Sequence, residues 1–416
     1  MTAPPRRPSV PSRPGRVRAP ALTVLTTAER LRPVGGIELC MLQDTRSLVA
    51  RGHRVEVLFH DDGVHRDEYE RLGVDLHGPY PFDFSTGRAV TDLRRFVPSL
   101  VRSRRLRADV LWLNRPEQIV WAQLASRWAG IPVVCHLHHA PNYERTRLVM
   151  TGVAHFVAVS EYMKALWVEA GVDADRITVV HNAVPFDEYP AGGAAELERA
   201  RRDLGLGIAP GARVVLSYGR LSAEKGVVTL IEAWRSLALP PERGVLVLAG
   251  PTPVDPEVAA ALATLPEGSH RLLDARRDVV PLLHAADLVV MASQLPEAFG
   301  RVLIEGMSTA RPVVGTAVGG VPEVLSGEFA RLLVRPGHAG ELAERIGSVL
   351  DWRTDDPGLG ERCRRSVEQR FPYDEHVDAL EAVLLAHRRR RSRSRAGRRP
   401  QGARAGQGGR RAGQPS

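Results

Sequence analysis

The sequence describes an α/β protein with two doubly wound parallel sheets that face each other across a cleft. Three observations lead there. The 416 residues exceed one ordinary domain, at roughly 100–200 residues each. Short apolar runs, such as Ala21–Leu25, Ile131–Cys135, Leu246–Ala249 and Leu288–Ala292, alternate with segments of helical period. That is the βαβ rhythm of a parallel sheet covered on both faces. The rhythm breaks once, over residues 187–212, where PAGGAAELERARRDLGLGIAPGA places turn residues at both ends of a short helix.

The elements follow in order. In the first half, strands are expected at Ala21–Thr26, Arg54–Phe59, Val110–Asn114, Pro132–Leu137, His155–Ser160 and Ile177–His181. Helices are expected over Glu38–Arg51, Thr91–Leu106, Gln118–Ala129 and Glu161–Ala170. After the break come strands at Arg213–Tyr218, Gly244–Ala249, Arg271–Leu273, Leu288–Ala292 and Pro312–Thr316. The helices between and after them are Val227–Leu237, Pro256–Leu265, Val279–Ala285, Arg301–Ser308, Ala339–Trp352, Glu361–Arg370 and Asp374–His387. In such sheets ligands bind beyond the carboxyl ends of the strands.

Composition narrows the function. The net charge of +9 belongs to the ends. Residues 388–416 carry eleven arginines and residues 1–20 carry five, neither with an acid, so 9 − 11 − 5 leaves −7 for residues 21–387. A nucleic-acid-binding core should carry its positive charge on the fold, so no nucleic-acid partner is expected. No apolar run approaches the ~20 residues of a membrane span, and residues 1–20 lack the apolar core of a secretory signal. Three scattered cysteines, Cys40, Cys135 and Cys363, form neither a disulfide framework nor a zinc cluster. A reducing, cytoplasmic setting is expected. Only two of the 57 basic residues are lysine, Lys164 and Lys225. Against that background a lysine stands out for its compact, mobile charge.

Four turns carry candidate chemistry. In Glu297-Ala-Phe-Gly-Arg-Val-Leu-Ile-Glu305, Gly300 sits where loop becomes helix, and a helix amino end attracts anions. Glu305, one turn in, can accept two hydroxyls of a ribose, and Glu297 can approach a reacting sugar. Singly, both glutamates also read as surface residues. In Gly219-Arg220-Leu-Ser-Ala-Glu-Lys225-Gly226, two cations and two glycines at a strand-to-helix turn can clamp a pyrophosphate, although the P-loop pattern is absent. Tandem glycines at Gly319-Gly320, before Glu323, and at Gly35-Gly36, before Glu38, permit close backbone approach to a ligand, or a bare turn. His136, His138 and His139 end a strand, with His136 and His138 on one side. A histidine hydrogen-bonding a polar ligand suits them better than a metal pair, for want of a Cys or carboxylate partner at ligand spacing. Asp173-Ala-Asp175 reads as the metal-binding D-x-D pattern only on paper. It lies on the connection entering a strand's amino end, the side away from the ligand.

Taken together, these turns resemble the GT-B glycosyltransferases of family 4, the retaining enzymes of glycosyl transferases group 1, from about Leu22 to Leu385. The family's E-x7-E motif matches Glu297 and Glu305. Its GR-x4-KG clamp matches Gly219, Arg220, Lys225 and Gly226. Its two GG turns match Gly319-Gly320 and Gly35-Gly36, and its strand-end histidine matches His138. The stretches AVSEYMK (158–164) and VVHNAV (179–184) are similar to its domain-edge signatures. The chain departs from the family at Ala183 and Asp274, where glycine is usual, and in the helix after Glu305.

The resemblance implies two Rossmann-like domains and a division of the chain. By composition residues 1–20 are expected to be a disordered Pro/Arg-rich leader, and the resemblance implies an acceptor domain over 21–186. It implies a linker and donor domain over 187–372 and a helix crossing back over 373–387, while composition leads to the expectation of a disordered Arg-rich tail over 388–416. It implies transfer of a sugar, with retention, from a nucleoside diphosphate sugar to a hydroxyl acceptor, without metal or other cofactor. Arg220 and Lys225 would stabilise the leaving diphosphate, with Glu297 and His138 positioning the sugar. Gly35, Gly36, Gly219, Phe299, Gly300, Arg301, Val302, Glu305, Gly319 and Gly320 would line the donor site. A nucleotide-sugar epimerase on the same fold and a non-catalytic nucleotide-binding scaffold are the alternatives. The tail reads equally as a segment that associates with an anionic inner membrane surface or as a solvated product of coding bias.

Overall fold

A computed structural model describes residues 20–32, 35–141 and 146–389. The expectations for the leader and tail fall outside these residues, apart from Pro20, Arg388 and Arg389. Two all-parallel sheets organise the rest. The first holds β1 (Thr23–Arg30), β2 (Arg54–Asp61), β3 (Asp75–His77), β4 (Val110–Leu113), β5 (Val133–Leu137), β6 (His155–Ala158) and β7 (Ile177–Val179), in the order β3-β2-β1-β4-β5-β6-β7. The second holds β8 (Arg213–Tyr218), β9 (Gly244–Gly250), β10 (His270–Asp274), β11 (Leu288–Met291), β12 (Val313–Thr316) and β13 (Leu333–Val334), in the order β10-β9-β8-β11-β12-β13. Every residue of β9 and β11 is buried. Their uninterrupted apolar runs follow from helices covering both faces.

Each sheet reverses its winding direction once, between β1 and β4 and between β8 and β11. Ligands of open α/β sheets sit at such reversal points, beyond the strands' carboxyl ends. Gly35-Gly36 follows β1, Gly219-Arg220 follows β8, and Glu297 follows β11. The candidate motifs therefore flank the crevice that each topology creates.

The last helix, Tyr373–Ala386, returns to the first domain. Its Leu380, Val383 and Leu384 join a core with Leu22, Val24, Leu48 and Val55. Glu381 accepts hydrogen bonds from Arg51 Nη1 at 2.6 Å and pairs with His53 Nε2 at 2.8 Å.

Several elements differ from the sequence expectation. β1 runs on to Arg30 rather than ending at Thr26, because it stays in register with β2 out to Asp61. β3 and β13 are edge strands of three and two residues, too short to show an apolar run. The helix expected over Ala339–Trp352 is two, Ala339–Val349 and Trp352–Asp355. The break lets Trp352 Nε1 donate to the Asp287 carbonyl at 2.9 Å while Asp351 receives Arg213 Nε at 2.8 Å. The helix beginning at Pro256 ends at Leu262.

Candidate active site

The clamp loop between β8 and the helix Val227–Leu237 depends on two glycines with positive φ. Gly219 has φ 116° and Gly226 has φ 70°, a region that side chains disfavour. At Gly226 the space is also closed, because a Cβ there would lie 1.7 Å from the Ala292 carbonyl oxygen. Glycine thus lets the clamp press against the end of β11. That approach brings Lys225 Nζ to 2.6 Å from Glu297 Oε1, joining two motifs 72 positions apart. The Ser293 hydroxyl donates to the same oxygen. Arg220 is exposed and has no ion-pair partner among the described residues.

Gly300, at φ 99°, caps the helix Arg301–Ser308. Glu305 projects from this helix into a buried nest of donors. Tyr189 Oη donates to Oε1 at 3.1 Å, Tyr218 Oη to Oε2 at 2.5 Å, and Arg301 Nε to Oε1 at 2.7 Å. Burial, reinforced by the Glu305 charge, pushes both phenols above their ordinary range. They therefore act as donors at neutral pH. Arg301 also crosses to the first domain, donating to Gln43 Oε1 at 2.7 Å and approaching Cys40 Sγ at 2.9 Å. Ala183, one of the departures from the family pattern, lies here too, its carbonyl 3.5 Å from Arg301 Nη1. Val302 is half-buried, and the Phe299 ring is fully buried against His181 and Phe371. Phe299 as a whole residue is 1% exposed, so the structure places neither its ring nor its backbone on an open surface.

The glycine pair after β12 packs against the Glu297 loop. Gly320 N–H donates to the Glu297 carbonyl at 2.8 Å. A Cβ on Gly319 would lie 2.1 Å from that oxygen, and one on Gly320 would lie 2.6 Å from the Ala298 carbonyl. These glycines hold the loop that carries Glu297, and the Gly320 amide is already committed. Glu323, three residues on, accepts the Glu161 and Tyr162 amides at 3.0 and 2.8 Å and contacts His181 Nε2 at 3.0 Å. It thereby caps a helix of the first domain, Glu161–Glu169. Burial raises the Glu323 carboxyl, but the His181 contact and the two amides outweigh it and hold it below its usual value. Ser160 Oγ makes a further link, donating to the Ala298 carbonyl at 2.6 Å.

On the first domain, a Cβ on Gly36 would come within 3.5 Å of Arg301 Cδ, so the Gly35-Gly36 turn borders the second domain. Glu38 pairs with Arg115. The rings of His136 and His138 lie on one side, centroids 4.1 Å apart. Both are buried, and His138 Nε2 has no hydrogen-bond partner among the described residues. Burial, with the neighbouring histidines, drives His138 well below its ordinary value, so a neutral imidazole is presented. His139 is exposed, its carbonyl receiving Trp167 Nε1 at 2.8 Å. Lys164, the other lysine, lies within Glu161–Glu169. Asp173 Oδ1 accepts the Asp175 amide at 3.0 Å, capping the turn that enters β7. Among the described residues no three His, Cys, Asp or Glu side chains are grouped to hold a metal ion, and no helix is long and apolar enough to cross a membrane.

Sequence reasoning missed Tyr189, Tyr218, Ser293 and Gln43. Tyr218 and Ser293 stand at the carboxyl ends of β8 and β11, beside motifs already chosen, and could have been found by position. Tyr189 and Gln43 show no local signal.

Comparison with known proteins agrees with this geometry. The profile of the family described as Glycosyl transferases group 1 matches residues 201–369, and that of Glycosyltransferase Family 4 matches residues 34–188. The D-inositol 3-phosphate glycosyltransferase of Corynebacterium glutamicum is 28% identical over 76% of this chain and 84% of its own. That of Corynebacterium aurimucosum is 29% identical over 80% and 87%. The lipopolysaccharide 1,2-N-acetylglucosaminetransferase of Salmonella typhimurium is 26% identical over 64% and 70%. In fold, the chain is similar to Anabaena Alr3699/HepE, solved in complex with UDP-glucose, at TM-score 0.75 and 23% identity over 88% of this chain and 100% of that one. It is also similar to WaaG, a glycosyltransferase of lipopolysaccharide biosynthesis, at TM-score 0.64 and 16% identity over 88% and 99%. With two family profiles in tandem along two facing Rossmann-like domains, the chain belongs to the GT-B glycosyltransferases of group 1, family 4.

Proposed function

We propose that this glycosyltransferase takes its sugar from a nucleoside diphosphate sugar and transfers it, with retention and without a metal, to a hydroxyl acceptor. The observation that carries the reading is the meeting of Lys225 and Glu297 beside the Gly300-capped helix end. The Lys225 ammonium, the amino end of Arg301–Ser308 and, on the same clamp loop as Lys225, the Arg220 guanidinium, which has no ion-pair partner among the described residues, would stabilise a leaving diphosphate as it gathers charge. Stabilisation of developing charge by groups already in place is usually the largest catalytic term. A phosphate oxygen would compete with Glu297 for Lys225, releasing the carboxylate to bind sugar hydroxyls. Glu305 would exchange part of its donor nest for the two ribose hydroxyls. Neutral His138, with a ring nitrogen unused, has the capacity to hydrogen-bond the donor sugar. The acceptor hydroxyl would attack from the face the diphosphate leaves, and the diphosphate oxygen would take its proton. The UDP-glucose bound to the Anabaena protein supports a nucleotide-sugar donor. An epimerase would leave the sugar on its nucleotide, and the family's transferases favour transfer instead.

The test is product analysis with a panel of nucleoside diphosphate sugars in EDTA. The expected result is release of one diphosphate and a glycoside that keeps the donor's anomeric configuration by NMR. An inverted product, or donor sugar epimerised without release, would overturn the reading.

A further inference from the structure

Away from the donor motifs, the second domain carries a cavity of about 310 Å³ between the helical turn Gly327–Leu332 and the helix Leu359–Arg370. That volume is at the low end of small-molecule sites, which span roughly 300–1,000 Å³. None of the wall residues belongs to the clamp, the Glu297 loop or the glycine turns. The walls are polar. Arg362, Arg365 and Arg370 line them with Ser326, Ser366 and Gln369, and Glu328 is the one acid. Three arginines on one cavity stand out on a core whose net charge over residues 21–387 is −7.

The three arginines have different partners. Arg362 is committed to acids. Its Nη1 and Nη2 donate to Asp356 at 3.0 and 2.6 Å, and its Nε donates to Glu328 Oε2 at 3.1 Å. It thereby draws the wall's one carboxylate to itself. Arg365 meets Glu361 at 3.6 Å, across side chains 58% and 60% exposed, a contact that solvent weakens. Arg370 has no ion-pair partner among the described residues. Its guanidinium donates to the carbonyls of Val324, at 2.8 Å, and of Glu323, and rests 4.8 Å over the Phe371 ring. Burial holds it below the ordinary arginine value. The Ser326 and Ser366 side chains are half-buried, and neither these hydroxyls nor the Gln369 amide makes a hydrogen bond among the described residues. The cavity thus offers two weakly compensated cations beside three idle polar groups.

Two such cations suit a dianion. The planar fork of arginine matches the oxygens of a phosphate, and a phosphate monoester carries about −1.5 to −2 charges at neutral pH. A single carboxylate would neutralise one cation only. Hydroxyl and amide groups beside the cations suit a polar remainder such as a polyol. We propose that this cavity is a second ligand site, separate from the donor cleft, for a small soluble phosphate monoester. Arg365 and Arg370 hold the phosphate, and Ser326, Ser366 and Gln369 meet the rest of the molecule. The site does not depend on the transferase chemistry.

The experiment is calorimetric titration of inorganic phosphate and glycerol 3-phosphate into the full chain, with glycerol and acetate as controls. Saturable binding of the phosphates and not of the controls is expected. It should weaken about tenfold or more with Arg365→Gln and Arg370→Gln together, since each removes a charge-assisted contact. Arg365→Gln alone alters an exposed side chain, should keep the parent's melting temperature, and should weaken binding several-fold. Lys225→Ala should leave the affinity for glycerol 3-phosphate unchanged. No saturable binding of either phosphate would overturn the proposal, as would acetate binding equally well or undiminished binding by folded Arg365→Gln. Loss of binding in Lys225→Ala would also overturn it, by placing the phosphate in the donor clamp.

Discussion

Lys225 and Arg220 differ in the structure although the same motif carries both. Lys225 is held by Glu297 at 2.6 Å, whereas Arg220 is exposed and has no ion-pair partner among the described residues. On the proposed mechanism both act on the leaving diphosphate, so Lys225→Ala or Arg220→Ala should each lower turnover at least ~10²-fold, from lost transition-state stabilisation. Initial rates at saturating donor check this, and turnover within about threefold of wild type would remove the residue from the clamp. Gly226 offers a stability counterpart. A Cβ there meets the Ala292 carbonyl at a backbone conformation of positive φ, and neither partner is a flexible side-chain end. Gly226→Ala should destabilise by at least ~2 kcal/mol, read as a lower urea midpoint. At this scale the sequence singled out candidate residues and said less about their partners. Glycines, cations and carboxylates announced themselves by type and spacing. Nothing local showed that Gly319 and Gly320 would support Glu297, or that Glu305 would be held by Tyr189, 116 positions away.

Among the elements, those flanked by clear turn residues were legible to the residue. The strand Arg213–Tyr218 and the helices Val227–Leu237 and Arg301–Ser308 were expected with the bounds they have. The edge strands β3 and β13 were not, because strands of two or three residues carry no periodicity. The break at Leu350-Asp351 was hidden because its cause, the anchoring of Trp352 to Asp287, is tertiary. The final helix shows what an element adds to the whole. Leu384 is fully buried in the first domain's core, although the helix follows the second domain in sequence. Leu384→Ala should cost about 2–5 kcal/mol and lower the midpoint of urea unfolding. A loss under about 0.5 kcal/mol would mean that the helix does not stabilise the first domain.

For the molecule as a whole, the alternation of strands and helices and the single break between the halves made two sheets legible. Their contact was not. Arg301 with Gln43, Glu323 with the helix at Glu161, and Ser160 with Ala298 join groups more than a hundred positions apart. The fold also carries a pH dependence. Burial lowers His136 to about 3 and His65 and His155 to about 4. The unfolded chain then binds more protons below about pH 6.5, so stability is full above that pH and falls as the pH drops toward the folded values. His376, raised through its contact with Asp44, works in the opposite sense. For His136, both of whose ring nitrogens lack a hydrogen-bond partner among the described residues, the loss at pH ~5.5 should be about 1.4 kcal/mol. Urea midpoints of wild type and His136→Asn at about pH 7.5 and 5.5 should show a smaller decline in the variant. Equal declines would remove His136 from the account.

The central claim is that two cations, without a metal, hold the diphosphate of a sugar donor. Calorimetric titration of UDP, GDP, ADP and dTDP into the protein in EDTA tests it most directly. The account predicts saturable binding of at least one nucleotide, weakened about tenfold or more by Lys225→Ala, the loss of one charge-assisted contact. No binding in EDTA, restored by added magnesium, would contradict it.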